Sequence, residues 1–264
     1  MAKGTFPDPA TLTGLHLFYN PYSNCAQRVM LVMAEKGLEP EMHLVDLMKS
    51  AQLSESYTRI NPKGEVPALV HDGRAMHESC DILRYVEDHF PSPSLVPAGA
   101  DDRERMEQLL DAAAGSHEPG VVNYVYSNGY GRLPTPTDWD FYQQNIPHRA
   151  KFHRDRRQGL AGSDPADANR VLAGHFGMLE QALNRGDWLA GDEFSLADIA
   201  WFPNTIILRQ LGYSFAEFPR VSDWIRRMEN RETVKTAIRA RQKNIPDCVL
   251  RGALKLLRKT GGRQ

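Results

Sequence analysis

Strand and helix signals alternate along the chain as far as Pro91, and beyond the cluster Pro91, Pro93 and Pro97 no strand signal returns. This switch limits the fold most: an α/β unit comes first and an all-helical unit follows. Leu15-His16-Leu17-Phe18-Tyr19 alternates as a strand does, and Pro21, Tyr22, Ser23 and Asn24 form a turn with capping chemistry. Val29, Val32 and Met33 then recur at helical spacing up to Lys36-Gly37, a good helix stop. Met42 and Leu44, running on to Leu47, predict a second strand, parallel to the first through a right-handed crossover.

Asn61-Pro62-Lys63-Gly64 breaks the chain, Val66 to Val70 is a third strand entered through Pro67, and Asp72-Gly73 is a hairpin turn. Ala75-Met76-His77 returns as a short strand. Glu78-Ser79 opens a helix with Ile82, Leu83, Tyr85 and Val86 on its apolar face. After the proline linker, 101–127, 138–160 and 167–185 read as helices, as do 219–228 and 231–241. Ser195 to Asp198 reads as a capped helix start before an apolar run.

Composition excludes several classes. A net charge of -1 over 264 residues offers no field for nucleic acid or an anionic membrane, and no apolar run approaches a membrane span. Met1 to Ala10 lacks the basic and apolar regions of a signal peptide. Three cysteines without a C-x-x-C pair give no disulfide framework, so reduced thiols and a cytoplasmic setting are expected. No His-x-x-x-His or Cys/His cluster stands out, so no metal is expected.

Three local features fit one chemistry. Ser23 sits where a strand gives way to a helix; its hydroxyl can donate to a thiolate, and the helix dipole favours negative charge there. Val66-Pro67 is a candidate cis peptide, which would expose the backbone of Val66 to a peptide ligand. Glu78-Ser79 at a helix start can hold an amino-acid headgroup. Cys25, in the first turn beside Ser23, is a rival nucleophile, since a cysteine at a helix N-terminus can have a depressed pKa.

In order and spacing, Ser23, Val66-Pro67 and Glu78-Ser79 resemble the glutathione transferase superfamily. Asn61 to Leu69 resembles its glutathione-binding loop, and Phe194 to Ile199 its helical capping box. The resemblance implies a thioredoxin-like N-terminal domain over 13–90, a linker over 91–100, an all-helical acceptor-substrate domain over 101–241 and a basic tail over 242–264. It implies that Ser23, or Cys25, governs the glutathione sulfur. Asn24, Lys63, Glu65, Val66, Pro67, Glu78 and Ser79 would bind the tripeptide, Glu65 being a departure where many relatives carry Lys or Gln. It also implies a dimer, with glutathione as cosubstrate and no metal.

The stretch 115–133 carries glycines and aromatics that can line an acceptor pocket, for which Tyr22, His117 and Tyr124 are the first choices. The long proline-started segment from Asn145, together with the loop and capping motifs, resembles bacterial β-aryl-ether-cleaving etherases and tetrachlorohydroquinone-dehalogenase-like members. That similarity implies a small aromatic electrophile, with ether cleavage or dehalogenation as the chemistry. The alternatives are a catalytically weak binding or regulatory module and a Cys25-dependent thiol transferase or reductase.

Overall fold

The computed structural model describes residues 4–157, 164–239 and 247–260. Strands β1 (Leu15–Tyr19), β2 (Glu41–Leu44), β3 (Ala68–His71) and β4 (Arg74–Met76) form one sheet in the order β2-β1-β3-β4. The β1–β2 pair is parallel and the other two pairs are antiparallel. The second strand ends at Leu44 and not at Leu47. Asp46 accepts hydrogen bonds from the amides of Met48 and Lys49 and turns Leu47–Lys49 into a short 3-10 helix. Asp72 and Gly73 have φ of 48° and 81°, the left-handed pair that a two-residue hairpin link needs.

Helix α1 (Asn24–Glu35) is the crossover between β1 and β2. It begins at Ser23, whose hydroxyl oxygen accepts from the Ala26 amide, and ends where Gly37 takes φ 64° and the Leu38 amide reaches the Met33 carbonyl. Nearly all of α1 is buried, since it lies between the sheet and later helices. A short α2 (Glu55–Thr58) precedes β3, and α3 (Ser79–His89) packs beside α1. This is a thioredoxin-like mixed sheet.

Beyond α3 every regular element among the described residues is helical. The α-helices are α4 (Ala100–Gly115), α5 (Asn123–Ser127), α6 (Pro136–Asn145), α7 (Ala150–Arg157), α8 (Pro165–Ala182), α9 (Leu196–Gln210), α10 (Pro219–Asn230), α11 (Glu232–Ala237) and α12 (Asp247–Thr260). The helix expected over 101–127 is not continuous. A widened π turn, His117–Val122, joins α4 to α5. Pro119 lies inside it; a proline has no amide for the i−4 carbonyl, and a wider turn accommodates the loss. The helix expected over 138–160 is likewise split, at Pro147; its residues 158–160 lie outside the described residues, as do 240 and 241 of the last predicted helix.

Helix α9 is the central helix of this half, with residues Leu196 to Ile206 all buried. Its start is fixed by Asp198. One carboxylate oxygen accepts from the Ser195 amide and hydroxyl, and the other from the Leu189 amide and the Trp224 indole, at 2.8–3.1 Å. Helix α12 docks on this half: Leu254 joins the core, Arg251 donates to the Gln210 carbonyl at 3.4 Å, and the Lys255 ammonium lies 5.2 Å from the Tyr130 ring centre. Among the described residues no helix is long and apolar enough to cross a membrane.

Candidate active site at the mouth of the first helix

The end of β1 leads directly into the start of α1, so residues 22–25 lie at a helix N-terminus where free amides and the helix dipole favour an anion. Ser23 is half-buried there. Its oxygen accepts from the Ala26 amide at 3.2 Å, which occupies a lone pair and leaves the hydroxyl proton to donate elsewhere. Tyr22 stands beside it, 42% exposed.

Cys25 is half-buried in the first turn of α1, two residues after Ser23. Its sulfur lies 3.7 Å from both ring nitrogens of His117, which the π turn carries over from the helical half. Desolvation pushes the Cys25 thiol above its ordinary pKa. The Arg28 charge and the Ser79 hydroxyl pull it down, while Glu65 and Glu78 push it up. This thiol is therefore held protonated at rest, opposite to the depressed pKa that marks a reactive cysteine.

Arg28 is the residue that sequence reasoning missed. It is 1% exposed, and among the described residues no carboxylate pairs with it. Its Nε donates to the Ala200 carbonyl at 2.7 Å, and its two terminal nitrogens donate to Ser79 Oγ, the Ala113 carbonyl and Asn204 Oδ1 at 3.1–3.2 Å. Neutral dipoles thus solvate a buried positive charge directly behind Ser79 and the cysteine. The sequence signal was a lone cation leading into the apolar run Val29 to Met33.

The loop before β3 carries the residues expected to meet the peptide. The Val66–Pro67 peptide is cis, and among the described residues neither the amide nor the carbonyl of Val66 takes part in a hydrogen bond. The neighbouring Glu65 carbonyl is instead tied down by Tyr57 Oη at 2.6 Å and Asn61 Nδ2 at 2.7 Å, so the loop is held while Val66 stays available. Lys63 forms an ion pair with Glu78, and Ser79, the first residue of α3, accepts from Arg28.

Two sequence expectations meet a different setting. Asn24 is buried, and its amide donates to Asn204 Oδ1 at 2.7 Å and contacts His117 at 3.4 Å, so it ties α1 to the helical half. Tyr124 is 6% exposed, with its ring against Tyr213 inside the helical core, and presents almost no surface to a ligand.

Comparison with known proteins agrees with this layout. Residues 22–89 match the glutathione S-transferase N-terminal domain family and residues 161–232 match its C-terminal domain family. Glutathione S-transferase F10 of Arabidopsis thaliana is 30% identical over 189 residues, spanning 71% of this chain and 78% of that protein. The chain belongs to the glutathione S-transferase family. Within the family it is also similar to protein LigF of Sphingobium sp. strain SYK-6, at 28% identity over 231 residues, covering 82% of this chain and 90% of LigF. The crystal structure of that β-etherase superposes with a TM-score of 0.74 at 27% identity, covering 86% of this chain and all of the other. Glutathione is accordingly the cosubstrate, and the Ser79 hydroxyl and the charges of Arg28, Glu65 and Glu78 all act on Cys25 in the first turn of α1.

Proposed function

We propose that this transferase ionises the glutathione thiol at Ser23 and directs the thiolate at a small aromatic electrophile, with an aryl ether as the first choice. The observation that carries the thiol assignment is the Ser23 hydroxyl, whose lone pair caps α1 while its proton remains free to donate. Lowering a thiol pKa by about two units requires roughly 2.7 kcal/mol. A hydroxyl donating to a charged acceptor supplies about 1.5–3 kcal/mol, and a helix N-terminus adds a few tenths to about 1 kcal/mol. The buried Arg28 charge adds to the same sign. The free backbone of Val66 pairs with the cysteinyl unit, Glu78 and Ser79 hold the γ-glutamyl end, and Lys63 meets the glycyl carboxylate.

The aryl-ether reading rests on the similarity to LigF in sequence and structure. In the reaction the thiolate attacks the carbon bearing the ether oxygen. The carbon–oxygen bond breaks, a phenolate leaves, and a glutathione thioether remains. Tyr22, exposed beside Ser23, and His117, against Cys25, are the side chains this reading sets against such a ring. Its natural setting on this reading is the cytoplasm, as a dimer. A β-aryl ether with a fluorescent phenol leaving group tests the assignment: glutathione-dependent phenol release that falls in Ser23→Ala supports it. Conjugation of simple aryl halides without any ether cleavage would limit the enzyme to general transfer.

A further inference from the structure

Parallel pairing of β1 with β2 sets His16 opposite Glu41 and Phe18 opposite His43. Side chains alternate along a strand, so His16, Phe18, Glu41 and His43 share one face, opposite the face on which Leu17 packs under α1. The thiol site lies beyond the other end of β1 and uses none of these residues.

On this face three donor atoms converge. His16 Nδ1 lies 3.1 Å from His43 Nε2, Glu41 Oε2 lies 3.5 Å from the first of these and Glu41 Oε1 3.5 Å from the second, and one donor atom from each residue lies within 4.8 Å of the other two. Donors at about 2.0–2.2 Å around a tetrahedral cation are separated by about 3.3–3.6 Å, so the two ring nitrogens are close to that spacing and a small turn of the exposed Glu41 carboxylate brings one of its oxygens to it. The rings are held in place. His16 Nε2 sits 3.0 Å from the Thr13 carbonyl, which requires the proton on Nε2 and leaves Nδ1 with its lone pair towards the cluster. The His43 ring stacks on Phe18, with centroids 4.4 Å apart and an interplanar angle of 12°. His16 is buried, His43 half-buried and Glu41 exposed, so the fourth position opens to solvent, where a water can bind.

We propose that His16, Glu41 and His43 bind a divalent transition cation of the zinc class. Two imidazoles and one carboxylate are borderline ligands that suit zinc, nickel and copper(II) better than magnesium or calcium. In the metal-free protein the His43 Nε2 proton bridges the two rings. Binding moves that proton to Nδ1 of His43, and the cation takes its place. The sequence shows no spaced metal motif because the ligands lie on two strands, with a gap of 27 positions between the histidines that only the register closes. The site clips the edge strand β2 to the central strand β1, so its role is structural and independent of thiol chemistry.

The test uses tag-free full-length protein with its thiols alkylated, titrated with Zn²⁺ against a chromophoric chelator. A second arm uses Co²⁺, whose visible spectrum reports the geometry. One equivalent bound, a tetrahedral Co²⁺ spectrum and a zinc-dependent rise in melting temperature are expected. His43→Phe keeps a ring on Phe18 but removes a donor, and Glu41→Gln changes only an exposed group; each is expected to weaken binding at least about tenfold. Wild-type protein that binds no zinc, or both variants binding it as tightly as wild type, overturns the proposal and leaves a plain histidine–histidine hydrogen bond. If His43→Phe fails to fold, Glu41→Gln decides alone.

Discussion

The Arg28 guanidinium donates to Asn204 Oδ1 at 3.2 Å, joining the helix that carries the thiol site to the central helix of the other half. Asn204 is itself 1% exposed and also receives the Asn24 amide at 2.7 Å. Arg28→Met would take one donor each from the Ala200 and Ala113 carbonyls, the Ser79 hydroxyl and Asn204 Oδ1, of which Ala113 keeps the Ser116 hydroxyl and Asn204 keeps the Asn24 amide. Leaving a buried acceptor short of its donor costs about 1–3 kcal/mol. The expected outcome is a loss of that size in the unfolding free energy measured in urea and, in whatever protein folds, a higher pKa for bound glutathione. Arg28→Lys keeps the charge but not the fork, so it should recover more of the thiol pKa than of the stability.

Ser23 and Cys25 compete for the thiol role, and their environments separate them. Ser23→Ala loses the cap, worth about 1 kcal/mol, and the donor to the thiolate. Turnover should fall roughly 10–100-fold, matching about 1.5–3 kcal/mol, and the bound thiol pKa should rise by about one to two units in ultraviolet difference spectra. Cys25→Ala should leave both almost unchanged, because burial keeps that thiol protonated. The reverse pattern, with Cys25→Ala inactive and Ser23→Ala active, would transfer the chemistry to a cysteine mechanism.

Much of the fold was legible because it is local. The alternation of β1, the apolar spacing of α1 and the Asp72-Gly73 turn each follow from neighbouring residues. The candidate site was legible only where it sits at element ends: Ser23 before α1, Val66-Pro67 before β3 and Glu78-Ser79 before α3. Contacts between elements were not. The partners of Arg28 come from positions 51 to 176 residues away, and no window on the sequence contains them. The π turn at Pro119 was hidden for a different reason. Apolar spacing continues across it, so a periodic reading sees one helix and misses the shift that carries His117 onto Cys25. Tyr124 misled because aromatic content alone does not tell a pocket wall from a core.

The ion pair of Lys63 with Glu78 spans the side expected to meet the peptide while both partners stay well exposed, 41% and 60% by side chain. Exposed pairs contribute about 0.2–1 kcal/mol, so this one adds little to the fold. On the proposed function its value lies in binding, where the cation would meet the glycyl carboxylate and the carboxylate the γ-glutamyl amine. Lys63→Ala and Glu78→Gln should therefore leave the melting temperature nearly unchanged and raise the KM for glutathione, with a much smaller change in kcat. Added salt should weaken glutathione binding in the wild type more than in either variant. Equal losses in kcat and kcat/KM would mean that the pair acts in the transition state instead.

Asp198 sets the pH dependence of the helical half. Burial pushes its carboxyl up, and the bonds from Leu189, Trp224 and Ser195 pull it only part of the way back, to about 6. An unfolded aspartate titrates near ~3.9. The folded state therefore holds a proton that the unfolded state has released between those two values. Stability from this group is fully present below about pH 4 and is lost as the pH rises through about 6. A gap of about two pH units between the folded and unfolded titrations corresponds to roughly 3 kcal/mol. Asp198→Asn stays neutral at every pH and cannot contribute that slope. Subtracting its unfolding free energy from that of the wild type at each pH cancels the other titrating groups. The difference should move against the wild type by a few kcal/mol between pH 4 and pH 7. A difference that stays flat over that range would show that the four hydrogen-bond donors around the carboxylate outweigh its burial and hold it ionised throughout.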